Sequence, residues 1–406
     1  MLYNNNMKAR YQYRIYPTDQ QRQGLARVFG CVRVVWNDAL VLCKHSEKLP
    51  SNGDLQKLCI TQAKKTEQRA WLSEVSNIPL QQSIADLGVA FKNFFDSHKG
   101  KRKGLKVKPP KFKKKDNHQT ARFRKGGFSI KKGKVYLAKI GNLKTVWSRP
   151  LPCEPSSVTV IKDRSGRYFL SFVVEIQPEI KPAQNQAVGI DLGLKTFAVL
   201  SSGEKVDSPD YSKLERKIRL AQRRLSKRKK GSRRREAMRL RVAQLKAKQS
   251  DTRKDFLHKL STKVVYENQV IALEDLNVSG MLKNRCLSRA ISQAGWRDFR
   301  TMCEAKSDKF GRTFVVINRW EPTSQTCSDC GYRWGKLDLS VRTVVCMSCG
   351  THQDRDGNAA KNIKNVGVGH IHDAKRTGRK CKTPVGAVSA ELSTHLKDEQ
   401  LKLFAC

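Results

Sequence analysis

The chain has 406 residues, 38% of them hydrophobic, which is enough for two or three structural units with real cores. Its 81 lysines and arginines against 36 acidic residues give a formal charge of +45, self-repelling without a polyanion, so nucleic acid is the natural counterion. No run of about 18 apolar residues predicts a membrane span, Met1-Leu2-Tyr3-Asn4-Asn5 does not read as a signal peptide, and the 12 cysteines suit a reducing cytosol better than a disulfide scaffold.

In chain order, residues 8–16 alternate around Tyr11 and Tyr13 as a half-buried strand that Pro17 ends. Thr18 is a helix cap. Beyond it Leu25, Val28, Phe29, Val32, Val35 and Trp36, then Leu80, Ile84, Leu87, Ala90 and Phe91, recur at helical spacing and predict a helical module. Residues 99–115 are basic with interspersed Gly and Pro, cannot bury a core, and call for phosphates or water. Strand alternation returns at 123–130, 134–140 and 158–176, the last divided by a turn at Arg164-Ser165-Gly166. Joined to the first strand, these would make a small β-barrel interrupted by the helical module. A linker at 181–186 follows.

The second half opens with two short apolar runs around Gly193, and Asp191 is a carboxylate on a buried strand there. Residues 212–248 are amphipathic and basic, opposed only by Glu215 and Glu236, and predict a helix pair broken near Gly231. So dense a like charge disfavours an isolated helix and favours one lying against phosphates. Arg253 and His258 fall on a helix with Phe256 and Leu257 inward, where a histidine serves packing or phosphate rather than a metal. Residues 269–277 form a second buried strand that ends in acid, Glu274-Asp275; a helix through Trp296, Phe299, Met302 and Phe310 and a strand over 313–318 come next.

Cys327, Cys330, Cys346 and Cys349 have the spacing C-x2-C, fifteen residues, C-x2-C, with Gly331 and Gly350 after the second cysteine of each pair. Four thiolates satisfy one tetrahedral zinc ion and leave it no open position, so this zinc is structural. Asp191 and Glu274 at strand ends and Asp356 at a helix start are instead what a two-metal phosphodiester hydrolase needs. Magnesium takes hard oxygen ligands, and two ions about 3.5 to 4 Å apart clamp the attacking and leaving oxygens. The tail after His370 is Lys-, Gly- and Thr-rich and is expected to be disordered.

The motifs Gly189-Ile190-Asp191-Leu192-Gly193, Leu273-Glu274-Asp275-Leu276, Cys327-Ser328-Asp329-Cys330-Gly331, Cys346-Met347-Ser348-Cys349-Gly350 and Asp354-Arg355-Asp356-Gly357-Asn358-Ala359-Ala360 resemble those of the TnpB family, the transposon-encoded relatives of type V CRISPR nucleases. The likeness extends to Tyr13-Arg14-Ile15-Tyr16-Pro17, to Pro110-Lys111-Phe112-Lys113 and to Gly295-Trp296, and runs from about residue 8 to about residue 366. It implies an α/β multidomain chain: an RNase H-like RuvC nuclease domain with an inserted zinc ribbon, preceded by a wedge-type β-barrel that a helical recognition module interrupts. The expected divisions are 1–17 and 99–180 for the barrel, 18–98 for the helical module, 181–319 and 353–370 for RuvC, 320–352 for the zinc ribbon and 371–406 for the basic tail.

The resemblance also implies a guide RNA encoded at the transposon end, double-stranded target DNA cut beside a short flanking motif, and catalysis by Asp191, Glu274 and Asp356 with two magnesium ions. Its pattern favours Asp356 over Asp354, which reads as a helix cap, while Asp275 points to the opposite strand face. Candidate nucleic-acid contacts are Lys111 and Lys113, Gln119 and Thr120 where the family touches its motif DNA, Arg223, Arg224, Lys227 and Arg228 in the basic helix pair, and Arg253. A cytoplasmic effector with no membrane and no obligate protein partner is expected. A nuclease-inactive RNA-guided repressor is the alternative that a missing acid would favour, and all three are present. A non-guided RuvC-like nuclease would not need the zinc ribbon or so large a basic N-terminal half. A tyrosine-type strand transferase needs a His-x-His pair, and His370 and His372 have that spacing only in the weakly patterned tail.

Overall fold

The computed structural model describes residues 7–102, 104–115, 118–184, 186–338 and 340–377. They form two compact units, one from residues up to 176 together with 221–244, the other from 177–220 and 245 onward.

In the first unit, β1 (Met7–Ile15) buries Tyr13 and Ile15 on alternate positions. Thr18 caps α1 (Asp19–His45) through a reciprocal box: its hydroxyl accepts the Gln21 N–H at 3.3 Å, and the Gln21 side chain accepts the Thr18 N–H at 3.1 Å. After α2 (Asn52–Gln56) and a few irregular turns, α3 (Asn77–His98) completes the helices. The strands are β2 (Gln119–Arg124), β3 (Phe128–Lys131), β4 (Lys134–Leu137), β5 (Gly141–Leu143), β6 (Thr145–Val146), β7 (Ser157–Lys162) and β8 (Tyr168–Ile176). They make an antiparallel sheet in the order β2-β7-β8-β1-β6 and a smaller sheet β3-β4-β5. The single strand expected over 123–130 is therefore two, separated by a turn at Gly126-Gly127, whereas β7 and β8 pair across the expected turn.

One core takes Tyr13 and Ile15 from β1, Leu25 and Val28 from α1, Leu80 and Ile84 from α3, and Phe123 and Phe172 from the sheet. Helices and strands thus share one core, because neither layer could cover its apolar face alone. The basic segment is also less free than its composition predicts. Trp36 Nε1 donates to the Lys111 carbonyl at 3.1 Å, and Asn37 brackets the Lys113 backbone with hydrogen bonds of 2.8 and 3.1 Å.

The second unit begins with β9 (Ala187–Leu192), β10 (Ala198–Leu200) and β11 (Lys205–Val206), followed by α4 (Ser212–Ser226) and α5 (Arg233–Glu267). The helix pair breaks around Gly231 as expected, but α5 is one helix that carries Arg253 and His258. The end of α4, the turn and the start of α5, residues 221–244, group with the first unit. Then come β12 (Val270–Glu274), α6 (Val278–Met281), α7 (Ser288–Ala294), α8 (Trp296–Phe310), β13 (Thr313–Ile317), β14 (Thr343–Val345), β15 (His352–Asp354) and α9 (Arg355–Thr377). The expected start of the linker is docked: the Glu179 and Lys181 N–H groups bond to the carbonyls of Lys309 and Phe310 at 2.8 and 3.2 Å. Helix α9 passes the expected tail boundary at 370, so 371–377 is helical; the rest of the predicted disordered tail, 378–406, lies outside the described residues.

The central sheet has the order β11-β10-β9-β12-β13, with β9, β12 and β13 parallel and β10 antiparallel to β9. Parallel strands must be covered on both faces. On one face Val188, Ile190, Ile271 and Leu273 pack into a core with Phe197, Leu257 and Phe299. On the other lies α9, whose Ile363 packs against Ala272 and Ile317. The contact is unusually close: a Cβ on Gly189 would fall onto the α9 backbone at the Ala360 carbonyl and Lys364 N–H, and one on Gly367 would stand 2.5 Å from Ala272 Cβ. Because side chains alternate, the face that touches α9 at Gly189 and Ala272 is the face that carries Asp191 and Glu274 two residues later. Gly189→Ala is therefore expected to lower stability by about 1–3 kcal/mol through overpacking and to displace the helix that holds Asp356. Thermal unfolding and cleavage assays check this, and an unchanged variant would contradict the close approach.

Candidate active site

Ile190 pairs with Leu273 in the parallel register, so the next residues, Asp191 and Glu274, emerge side by side at the ends of adjacent strands, where strands run roughly 4.8 Å apart. Asp356 sits in the first turn of α9, at the end whose dipole favours negative charge. All three carboxylates are half-buried. Burial first, and then the neighbouring Glu274 and Asp356 carboxylates, push Asp191 up to about 7. Burial raises Glu274 as well, against the Thr323 hydroxyl, which donates to its Oε1 at 2.6 Å. Arg342 Nη1 lies 3.3 Å from Asp356 Oδ2.

The neighbouring acids have other partners. Asp275 is held below the usual carboxylate range by Arg319 and Arg300, the latter at 2.7 Å. Asp354, at the end of β15, accepts the Gly357 N–H at 2.9 Å and pairs with Lys205 Nζ at 2.9 Å, so it caps α9. The crowded hard-oxygen set of Asp191, Glu274 and Asp356 suits divalent magnesium, whose charge would offset the like-charge repulsion.

The thiols form a tighter group. Among the described residues, Cys327, Cys330, Cys346 and Cys349 are the one set of three or more candidate ligands gathered for a single ion, with ligand atoms within 4.8 Å of one another. Cys327 to Cys349 is 3.8 Å and Cys330 to Cys346 is 3.5 Å, close to the ~3.8 Å edge of a tetrahedron with ~2.3 Å zinc–sulfur bonds. Gly331 and Gly350 turn the two knuckles at φ of 77° and 72°. Thr351 hydrogen bonds draw the Cys349 thiol down, while burial and the neighbouring thiols push Cys330 up, as expected of thiols crowded together.

The cysteine site is tied directly to α9. Gln353 Nε2 donates to Cys327 Sγ at 3.0 Å, the Ser328 N–H donates to Asn358 Oδ1 at 2.7 Å, and the Asn358 and Asn362 amides donate to the Thr326 carbonyl at 2.8 and 2.7 Å. Asn358 is buried. Sequence reasoning did not assign these residues or Thr323. The i,i+4 spacing of Asn358 and Asn362, one polar stripe on a helix, was the available signal; Thr323 carries none, since its role depends on a fold-made contact.

The predicted nucleic-acid contacts divide. Lys111, Thr120, Arg223, Arg224, Lys227 and Arg228 are exposed, and Gln119 starts β2 with its amide donating to the Lys115 carbonyl at 2.6 Å. Lys113 and Arg253 are half-buried, and each also has a contact within the fold. Lys113 Nζ stands 3.7 Å from the Trp36 ring centroid, where burial pulls it down to about 8, and Arg253 Nη1 donates to the Ser292 carbonyl at 2.9 Å.

Residues 171–285 match the family described as "Probable transposase" (OrfB of IS605), residues 7–48 its helix-turn-helix domain, and residues 296–363 the Cas12f1-like TNB domain. A Streptomyces pristinaespiralis protein named "Putative RNA-guided DNA endonuclease" is 44% identical, covering 89% of this chain and 90% of its own. InsQ of Escherichia coli K12, given the same description, is 28% identical over 88% of this chain and 92% of its own. TnpB-like protein L770 of Acanthamoeba polyphaga mimivirus is 25% identical over 87% and 72%. In fold, the chain resembles Cas12f1 from its complex with sgRNA and target DNA, with a TM-score of 0.54 at 14% identity over 89% of this chain and 99% of that one. No helix among the described residues is long and apolar enough to cross a membrane. With an α/β fold, a four-cysteine cluster, the matching family models and a relative 44% identical over 89% of this chain and 90% of its own, the chain belongs to the TnpB family.

Proposed function

We propose that this protein is the RNA-guided DNA endonuclease of an insertion sequence, using a transposon-end guide RNA to cut double-stranded DNA beside a short flanking motif. The observation that carries this reading is the placement of Asp191 and Glu274 at the ends of adjacent parallel strands, on the sheet face covered by α9, which carries Asp356 in its first turn. The names of the relatives support the substrate and the guide.

Two magnesium ions held by these carboxylates would supply Lewis-acid stabilisation of the attacking and leaving oxygens of a phosphodiester. The protein's part is placement. The β9–β12 register sets Asp191 beside Glu274, the glycine contacts seat α9 against the same sheet face so that Asp356 in its first turn would join them, and Thr323 holds the Glu274 carboxylate through its hydrogen bond. The two N-terminal sheets are read as the wedge-type barrel, the helices packed on them as the recognition module, and the cysteine cluster as a structural zinc ribbon. Sequence choice would rest with guide pairing, while exposed Lys111, Arg223, Arg224, Lys227 and Arg228 grip phosphates and Gln119 and Thr120 lie at the flanking-motif DNA. The protein would work in the cytoplasm without an obligate protein partner. Purifying it together with its own genomic flank and sequencing the bound RNA tests the guided part: one discrete transposon-end RNA is expected, and a random RNA sample would contradict it.

A further inference from the structure

We infer that Trp320 is a stacking platform for one nucleobase of the single DNA strand whose phosphodiester enters the carboxylate site, an assignment that rests on the nuclease reading above. Trp320 is 83% exposed. A tryptophan offers a large apolar ring that folding normally covers; nearby Trp334, by contrast, is half-buried and donates Nε1 to the Ser324 carbonyl at 3.2 Å.

Its loop is stiff and anchored on both sides to the acids of β12. Upstream, Ile317 accepts the Asp275 N–H at 3.2 Å and Arg319 pairs with the Asp275 carboxylate. Downstream, Thr323 donates to Glu274 at 2.6 Å. Between them, Asn318 Oδ1 accepts the Trp320 N–H at 3.2 Å and the Asn318 carbonyl accepts the Glu321 N–H at 3.2 Å. The Trp320 backbone is therefore held three residues before the group that orients Glu274, with its indole exposed.

The chemistry of that place selects the occupant. Arg319 and Arg300 share the single Asp275 carboxylate, which leaves one net positive charge beside the loop, and the chain carries +45 overall. A second protein surface would have to match these cations, whereas a nucleotide supplies both a phosphate for them and a flat base for the ring. Duplex bases are already stacked on their neighbours, so only an unpaired strand can offer a free base face.

The test uses the full chain with its bound RNA, Asp191→Asn to prevent cutting, and single-stranded DNA probes carrying 5-iodouracil at successive positions. Long-wave ultraviolet light should crosslink one probe position to Trp320. Trp320→Ala should abolish that crosslink and Trp320→Phe retain it, with zinc content unchanged in both as the control for folding. With Asp191 intact, Trp320→Ala should raise the KM for DNA roughly tenfold, the size expected for one lost base stack, and leave kcat nearly unaltered. Crosslinks confined to other residues, an unchanged KM, or a dimer that Trp320→Ala dissolves would overturn the inference. A Trp320 crosslink in a preparation that never cuts DNA would instead uphold the platform and remove the nuclease reading.

Discussion

Asp191→Asn is expected to abolish magnesium-dependent DNA cleavage, because it removes one of the carboxylates that would hold the ions, while RNA capture stays intact. The separation follows from where the residue sits. Its carboxylate is pushed up to about 7 by burial first and then by the Glu274 and Asp356 charges, so its ionised form is electrostatically unfavourable in the metal-free fold. The amide keeps the shape and removes one of three crowded charges. Metal-free thermal stability should accordingly be unchanged or raised. Cleavage measured over a magnesium titration, beside a melting curve, checks both halves; a variant that cuts normally would remove the site, and one that unfolds would show Asp191 to be structural.

Replacing Cys327 and Cys330 together by serine is expected to release the zinc and to abolish cleavage as well, although neither residue faces the carboxylates. Structural zinc sites contribute on the order of 10 kcal/mol or more of apparent binding free energy to the fold they close, so the ribbon should lose its structure. The consequence reaches the active site by a named route. Ser328 and Thr326 hold Asn358 and Asn362 on α9, and Thr323 holds Glu274; without the knuckle these bonds have no fixed partner. Asp356 is two residues before Asn358 on that helix and would lose its placement. Metal analysis should show one zinc per wild-type chain and none in the variant, with DNA cleavage lost in parallel. Retained zinc would refute the four-thiolate site, and retained cleavage without zinc would refute the coupling to α9.

What could be read from the sequence was what short-range pattern encodes. The Thr18 cap, the hairpin turn at 164–166, the helix break near Gly231 and the cysteine spacing each depend on residues a few positions apart, and each is present in the structure. The three acids were legible as strand-end and helix-start carboxylates, but their meeting depends on the β9–β12 register and on the glycine contacts under α9, which no local pattern states. The same limit explains the misread elements. The continuity of α5 through Arg253 goes with the burial of Leu257 and Leu260 in the second unit's core, and the use of Lys113 by Trp36 depends on a distant helix.

Cleavage of a linear duplex by the reconstituted protein and RNA, with the targeting end of the RNA rewritten, tests the central claim most directly. Cutting should move to the new matching sequence, require magnesium and the flanking motif, and vanish in Asp191→Asn; cutting that ignores the rewritten RNA would contradict guided cleavage.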